Sequence, residues 1–459
     1  MSRILFLLLL WMGKTVNWLL ANVIKQGGSA ASGKIVCRIQ KDFVRHFKGI
    51  DYDRVVFVTG TNGKTSTTNM LASVLRQAGL SVATNSEGAN MLTGVATTLI
   101  KHSTLGGKFN RDYLILEIDE RSIGIIHNQL PARKLIVTNI LKDQVQRNGD
   151  PDFIWSKIAS VVDDNMHLYL NAQEPRGKGF EQLSKNVTYY GIARNDKSYE
   201  KDGFYEVTLP CPVCGSKIAF DFYNVENVGD FHCTSCDFHT NSNPDILIED
   251  YDVESRTITC AGKTFNVFYT LPFYIYNYAV CIAACRDFGL TDEQIEAGFM
   301  SFQNPNERRN ALTYKGKEIK YLQFKQENPE TLQNALRTVA EDPAEKAIFI
   351  GLHEICDFDP HYTNTFYFFD CNFEDIAKTP VEKYIVFSRT VAYDTALRMR
   401  YAGADMSKME ILPINDIETV FAKFDEIQSG NIYIISNMKP VKQIKKYFAD
   451  RAAQEGTIQ

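Results

Sequence analysis

The chain has little excess of charge of either sign. Its 50 Lys and Arg stand against 55 Asp and Glu, a formal net charge of −5 over 459 residues. A general nucleic-acid binder shows a basic face, so no nucleic-acid partner is expected. Its ten cysteines form no disulfide framework. Four fall in two close pairs. The other six, Cys37, Cys260, Cys281, Cys285, Cys356 and Cys371, are scattered among apolar residues as buried thiols are, which points to a reducing, cytoplasmic setting. No repeat and no low-complexity segment is present. There is also no uninterrupted apolar run of about 20 residues, the length a bilayer span needs. The longest stretch near the N-terminus, Ile4 to Met12, ends at Gly13-Lys14 and is followed by a second, amphipathic stretch from Val16 to Ile24. That pattern suits a helix docked on the protein, or one lying on a membrane surface at the inner face of the cell membrane. A signal-peptide h-region is the third reading.

What is present is an ordinary globular composition, 44% apolar and 23% charged, on a chain long enough for roughly three domains of about 150 residues. Short β-branched apolar runs read as buried strands at Arg54 to Thr59, Ser81 to Thr84, Asp112 to Ile118, Leu135 to Thr138 and His167 to Leu170, with a helix over Thr65 to Ala78. Such alternation implies an α/β fold with a parallel sheet covered on both faces. Residues from about 200 to 250 break the rhythm and read as an insertion. A helix near Tyr276 to Phe288 follows, then one opening at Thr291 with a glutamate as capping partner. The polar segment Asn304 to Asn310 marks a boundary. Beyond it, strands at Ala347 to Ile350, Tyr384 to Phe387 and Ile432 to Ile435 indicate a second, smaller α/β domain. The expected division is 1–50, an N-terminal helical segment; 51–303, a central domain carrying the insertion at about 205–245; and 304–459, the C-terminal domain.

Strand, then Gly60-Thr61-Asn62-Gly63-Lys64-Thr65-Ser66, then helix is the context of a phosphate loop. Glycines let backbone N–H groups converge on one oxyanion, and the helix N-terminus adds positive potential. Lys64 can reach the β- and γ-phosphates of ATP, and the Thr65 hydroxyl can ligate Mg²⁺. The spacing is shorter than the common G-x-x-x-x-G-K-[ST], because Val58 takes the outer glycine position. Glu117-Ile118-Asp119-Glu120 lies beyond a strand C-terminus, where open α/β sheets bind ligands. Glu117 is the first candidate for a Mg²⁺ ligand and for catalysis.

Cys211-Pro-Val-Cys214 and Cys233-Thr-Ser-Cys236 are two C-x-x-C knuckles separated by residues 215 to 232. Four thiolates at this spacing make a tetrahedral structural zinc site with no open position for chemistry. Flanking His232 and His239 read as surface histidines. No nucleophilic Ser or Cys constellation is visible.

The stretch Val58 to Ser66 resembles the ATP loop of the Mur ligases, which build the peptidoglycan stem peptide. Further segments narrow the resemblance to the MurT-type ligase subunits of lipid II isoglutaminyl synthases. They are Asn85 to Gly94, Leu116 to Glu120, Thr138 to Gln144, Tyr276-Asn277 and the cysteine knuckles, which resemble a zinc ribbon inside the central domain. The resemblance covers nearly the whole length. It implies a Mur-ligase-like central parallel sheet and a smaller C-terminal domain, with Asn277 on the adenine side of the nucleotide. It also implies ATP-dependent amidation of the α-carboxylate of D-glutamate in lipid II, through an acyl phosphate. The ammonia would come from a partner glutaminase of the GatD type, forming a heterodimer.

The C-terminal half departs from the family pattern. Its Gly-Arg-x-Glu reads Glu307-Arg308-Arg309-Asn310, which leaves Arg308 for a phosphate or ribose. In the loop that supplies an acid to the partner's catalytic triad, alignment on Asp370 puts His361 and Asn364 at the two aspartate positions. A shifted gap brings Asp359 or Asp357 there instead. Asn364 and Asp359 are therefore both candidates. A Mur-like ligase acting on another carboxylate, and a nucleotide-binding scaffold without turnover, are the alternative functions.

Overall fold

A computed structural model describes residues 1–24, 30–85, 88–143, 149–200, 209–302, 309–325, 327–352, 365–437, 446–448 and 451. The chain divides into two compact units, the first lying within Met1–Asn304 and the second being chiefly Pro305–Gln459, with Lys142 and Asp143 grouped with the second.

The first unit is built on strands β1 (Val55–Thr59), β2 (Val82–Thr84), β3 (Tyr113–Glu117), β4 (Lys134–Val137), β5 (His167–Asn171) and β6 (Val187–Ile192). Strands β7 (Leu209–Pro210), β8 (Lys217–Val225) and β9 (Val228–Cys233) form a separate antiparallel sheet. The main sheet then continues with β10 (Ile246–Asp252), β11 (Thr257–Cys260) and β12 (Lys263–Asn266), in the order β12-β11-β10-β6-β5-β4-β1-β3-β2. It is parallel from β10 to β2, and β11 and β12 add an antiparallel edge. Because β6 and β10 pair directly, the small sheet is a true insertion between neighbouring strands. Every residue of β1 and of β3 is buried. Successive side chains of β1 enter opposite cores, Val56 and Val58 one and Val55 and Phe57 the other, which is the signature of a sheet covered on both faces.

Helix α3 (Lys64–Gln77) packs on one face together with α5 (Pro272–Asp287) and α6 (Asp292–Ser301). The other face carries α1 (Arg3–Leu19), α2 (Ala31–Ile39) and α4 (Leu92–Lys101). Helix α6 opens with a capping box in which Gln294 answers Thr291; the glutamate expected there, Glu293, lies one position too early. At the N-terminus a helix docks on the protein, and the apolar run and the amphipathic stretch are joined in it. Gly13-Lys14 does not end the helix. Helix α1 runs through them and continues as a π-turn at Leu20–Ile24. Gly13 faces α4, where a Cβ would lie 2.8 Å from Ile100 Cδ1. Lys14 Nζ bends back to donate to the Ile100 and Ser103 carbonyls at 2.7 and 2.6 Å. Joined, the segment Arg3–Val23 is 21 residues long with mean hydropathy 1.8, and among the described residues it is the one helix long and apolar enough to cross a membrane.

The second unit is a six-stranded sheet in the order β13-β14-β18-β15-β16-β17, from β13 (Arg309–Tyr314), β14 (Lys317–Gln323), β15 (Lys346–Gly351), β16 (Val381–Phe387), β17 (Met409–Leu412) and β18 (Asn431–Ser436). A two-residue turn, Lys315-Gly316 with both φ positive, closes the β13–β14 hairpin, as that turn length favours. The remaining pairings are parallel.

Candidate functional site

Strand β1 lies between β3 and β4, so the strand order reverses there, and open α/β sheets bind ligands at that switch point beyond the strand C-termini. Three segments emerge together: Gly60 to Gly63 after β1, Ile118 to Glu120 after β3, and Thr138 to Leu141 after β4.

The glycines of the first segment are required by shape. Gly60 has φ +122°, and a Cβ there would lie 2.3 Å from Thr138 Oγ1. Gly63 has φ +87° and would meet Asn277 Oδ1 at 2.8 Å. The loop is held from the β4 side. The Thr61 and Asn62 N–H groups donate to Asn139 O (2.8 Å) and Asn139 Oδ1 (2.9 Å), and Asn139 Nδ2 returns a bond to Asn62 O at 3.1 Å. Thr61 Oγ1 accepts from the Leu141 N–H at 2.9 Å. The β4 segment is fixed in turn by Glu174, which accepts from the Ile140, Arg176 and Gly177 N–H groups. Burial pushes the Glu174 carboxyl up to about 7, against the lowering effect of Arg176 and those donors.

Gly63 is the N-cap of α3 and brings no side-chain cap. The first-turn N–H groups of such a helix lack intrahelical acceptors and favour an anion. From that first turn, Lys64 Nζ donates to Glu120 Oε1 at 2.6 Å, and both side chains are largely buried. Thr65 Oγ1 donates to Glu117 Oε2 at 2.7 Å. Ser66 is half-buried in the same turn. Asn90 Nδ2 approaches the other Glu117 oxygen at 3.4 Å, and Asn85 clamps the Glu117 backbone, accepting from its N–H at 2.9 Å and donating to its carbonyl at 2.8 Å. Asn277 is buried on α5 against the same turn. Its Oδ1 accepts from Thr67 Oγ1 at 3.2 Å, and its Nδ2 has no partner among the described residues.

Lys64, Thr65, Glu117 and Asn277 are thus brought together with the glycine loop. Glu120, Asn85, Asn90 and Asn139 belong to the same constellation. The sequence reading placed them in notable stretches without giving them roles, because pairing partners from three different strand ends cannot be assigned by spacing alone. Arg308, Asp357, Asp359, His361 and Asn364 lie outside the described residues. The paired hydroxyl and carboxylate of Thr65 and Glu117 fit the all-oxygen preference of Mg²⁺.

In the inserted sheet the sulfur atoms of Cys211, Cys214, Cys233 and Cys236 all lie within 4.8 Å of one another. Gly215, at φ +77°, folds the first knuckle so that its N–H donates to Cys211 O at 2.9 Å. Backbone N–H groups of Val213 and Ser235 point at Cys211 Sγ and Cys233 Sγ, each at 3.4 Å. Hydrogen bonds from the Ser216 side chain and backbone hold the Cys214 thiol down at about 6, while burial raises Cys211. Four converging sulfurs with N–H donors around them fit a tetrahedral thiolate metal centre. Beneath them, among the described residues, is a small core of Leu209, Ile218, Phe231 and Phe238 with Cys211 and Cys233, against which Phe220 and Cys236 pack.

A sequence model of the Mur ligase middle domain matches residues 58–216, and one of the MurT ligase C-terminal domain matches residues 326–439. Among curated relatives, the lipid II isoglutaminyl synthase (glutamine-hydrolyzing) subunit MurT of Staphylococcus aureus is 26% identical over 84% of this chain and 86% of its own length. The Streptococcus pneumoniae subunit of the same name is 24% identical over 92% and 93%. Among solved structures, a pseudomurein peptide ligase type C from Methanothermus fervidus superposes with a TM-score of 0.64 at 19% identity, over 89% of this chain and 81% of that one. MurF ligase from Thermotoga maritima, solved with ADP, superposes with a TM-score of 0.59 at 15% identity, over 92% and 85%. These two share the fold. With one match on each unit and relatives aligned over both, the chain is similar along its length to the Mur ligases, ATP-dependent carbon–nitrogen ligases, and among them to the MurT subunits.

Proposed function

We propose that the chain activates the α-carboxylate of the D-glutamate in the lipid II stem peptide with ATP, and that ammonia from a GatD-like glutaminase partner converts it to D-isoglutamine. One carboxylate oxygen attacks the γ-phosphorus and ADP leaves. The ammonia nitrogen then attacks the acyl carbon, the acyl–oxygen bond breaks, inorganic phosphate departs, and the nitrogen loses a proton. A carboxylate is a poor acyl donor until phosphorylated, so the chain's task is positioning and charge neutralisation.

The observation that carries this reading is the opposed pairing at the first turn of α3. One cation, Lys64, and one hydroxyl, Thr65, are each held on a separate carboxylate beside an uncapped helix N-terminus. The glycine loop and α3 would receive the phosphates, with Lys64 moving from Glu120 to a phosphate oxygen. Thr65 and Glu117 would hold Mg²⁺, which neutralises phosphate charge when bound. Asn277, from beneath Gly63, would reach the nucleotide through its unpaired Nδ2, on the side where the family places adenine. Arg308 is assigned to phosphate or ribose. Asn364, or else Asp359 or Asp357, would complete the partner's catalytic triad. The four cysteines would hold structural Zn²⁺. A lipid-linked acceptor sets the reaction at the cytoplasmic face of the membrane.

Purified chain and partner glutaminase, supplied with ATP, glutamine and lipid II, should yield amidated lipid II by mass spectrometry. The chain alone should accept free ammonium. Turnover of ATP with lipid II and ammonium but without amide formation would reject the assigned acceptor.

A further inference from the structure

Helix α1 has two apolar faces, and among the described residues only one of them is packed against. Phe6, Leu9, Leu10 and Gly13 are buried in the first unit's core, where Phe6 meets Phe43 and Phe47 at ring distances of 5.3 and 5.2 Å. On the opposite side Ile4, Leu8, Trp11 and Trp18 are exposed by 73, 54, 47 and 60%. Their spacing of four, three and seven residues lies on one stripe of a 3.6-residue helix. Leu105, exposed by 68%, extends the stripe, and Trp11 Nε1 donates to its carbonyl at 3.0 Å. Helix α2, packed beside α1, turns Ile35 and Ile39 outward, each next to a basic residue, Lys34 and Arg38, and all four are exposed. Large exposed apolar side chains grouped in this way, with no covering element among the described residues, mark an interaction site.

Charge identifies the occupant. Lys34 and Arg38 stand exposed beside the outward isoleucines, in a segment, residues 1–50, that holds eight Lys and Arg, Lys14 turned inward among them, and a single acidic residue, Asp42, on a chain that is otherwise acidic. A second copy of the same face would meet it with like charge, which disfavours self-association. An anionic lipid surface is complementary: basic side chains meet the headgroups while apolar ones enter the acyl boundary. Two of the chain's three tryptophans stand on this stripe, and tryptophan favours the headgroup level. Crossing the bilayer would strip α1 from the core and unmake the Lys14 bonds to α4.

We propose that the outer face of the α1–α2 hairpin docks on an anionic phospholipid bilayer, with α1 lying in the interface and not spanning it. This goes beyond the assignment of the reaction and is tested without ATP or acceptor, so either can fail alone.

The test is co-sedimentation of the full chain with phosphatidylcholine vesicles, with and without phosphatidylglycerol. Binding is expected only with the anionic lipid, weakening as salt rises from about 0.1 to about 0.5 M. Tryptophan emission should shift to the blue on binding, through Trp11 and Trp18, while Trp155, stacked on Phe180 at 5.0 Å, contributes a constant background. Lys34→Gln with Arg38→Gln should weaken binding about thirty-fold. Leu8→Glu with Trp18→Glu should abolish it with an unchanged circular dichroism spectrum, since both side chains are exposed. Absence of binding, or binding indifferent to lipid charge, overturns the proposal. So does a dimer seen by light scattering that the Leu8/Trp18 variant dissolves in a chain that ignores vesicles. Extraction of the bound chain by detergent but not by salt would show a spanning helix and also overturn it.

Discussion

Replacing Lys64 by alanine should separate the loop's chemical role from its structural one. In the resting site, Lys64 Nζ sits 2.6 Å from Glu120 Oε1, with side-chain exposures of 12 and 8%. The substitution removes the cation that would meet the transferring phosphoryl group, a loss comparable to one transition-state donor: about 3 to 4 kcal/mol, or roughly two to three orders of magnitude in kcat. It also strands Glu120 as a buried carboxylate without its ammonium, which costs about 3 kcal/mol of stability. For a unit of this size that is a fall of roughly 6 to 12 °C in the thermal midpoint. Glu120→Gln in the Lys64→Ala background should restore most of the midpoint, because the stranded charge is gone, and none of the turnover. Differential scanning fluorimetry and a coupled ADP-release assay read the two quantities on the same four proteins of the cycle. Turnover of Lys64→Ala within threefold of wild type would refute the catalytic role. A midpoint that Glu120→Gln fails to restore would refute the pairing as the origin of the structural cost.

Three further outcomes follow from particular residues. Gly60→Ala forces a Cβ to 2.3 Å from Thr138 Oγ1 at φ +122°, so nucleotide affinity measured by calorimetry should fall at least as far as in Lys64→Ala; unchanged affinity would contradict the assigned loop. Elemental analysis should find about one zinc per chain, lost in Cys233→Ser, with protease cleavage then concentrated between about residues 209 and 240 because the local core is so small; a metal-free wild type with an intact ribbon would oppose this. His102 is held down at about 4 by burial, and then by Arg111 and Lys101. The unfolded chain protonates it near 6.5, so the unfolded state binds the extra proton between those values and stability falls as pH drops through that window. In His102→Asn, thermal midpoints should decline less steeply over the same range, and identical slopes would rule the residue out.

The strands of the main sheet were legible because parallel strands buried on both faces leave continuous β-branched runs, as Val55 to Thr59 does. The two knuckles were legible because metal-ligand spacing is local. The antiparallel edge at β11 and β12 was not, since its strands are only four residues each, too short for a periodicity to show, and lie beside turns at Arg256 and Ala261. Nor was the continuity of α1: glycine followed by lysine reads as a break until α4 is seen to need a residue without a Cβ there. Within the site, Lys64 and Thr65 announced themselves by type and position. Their partners, Glu117 at the end of β3 and Glu120 three residues beyond it, come more than fifty residues later, and they reach α3 only through the pairing of β3 with β1, which no local pattern records.

Activation of a carboxylate by phosphorylation moves one carboxylate oxygen into the phosphate that is released. Lipid II carrying heavy oxygen in the D-glutamate α-carboxylate should be incubated with the chain, ATP and ammonium, and the inorganic phosphate recovered for mass spectrometry. The predicted result is one labelled oxygen in phosphate for each amide formed, lost altogether in Lys64→Ala. Amide formation with unlabelled phosphate, or phosphate release without amide, would contradict it.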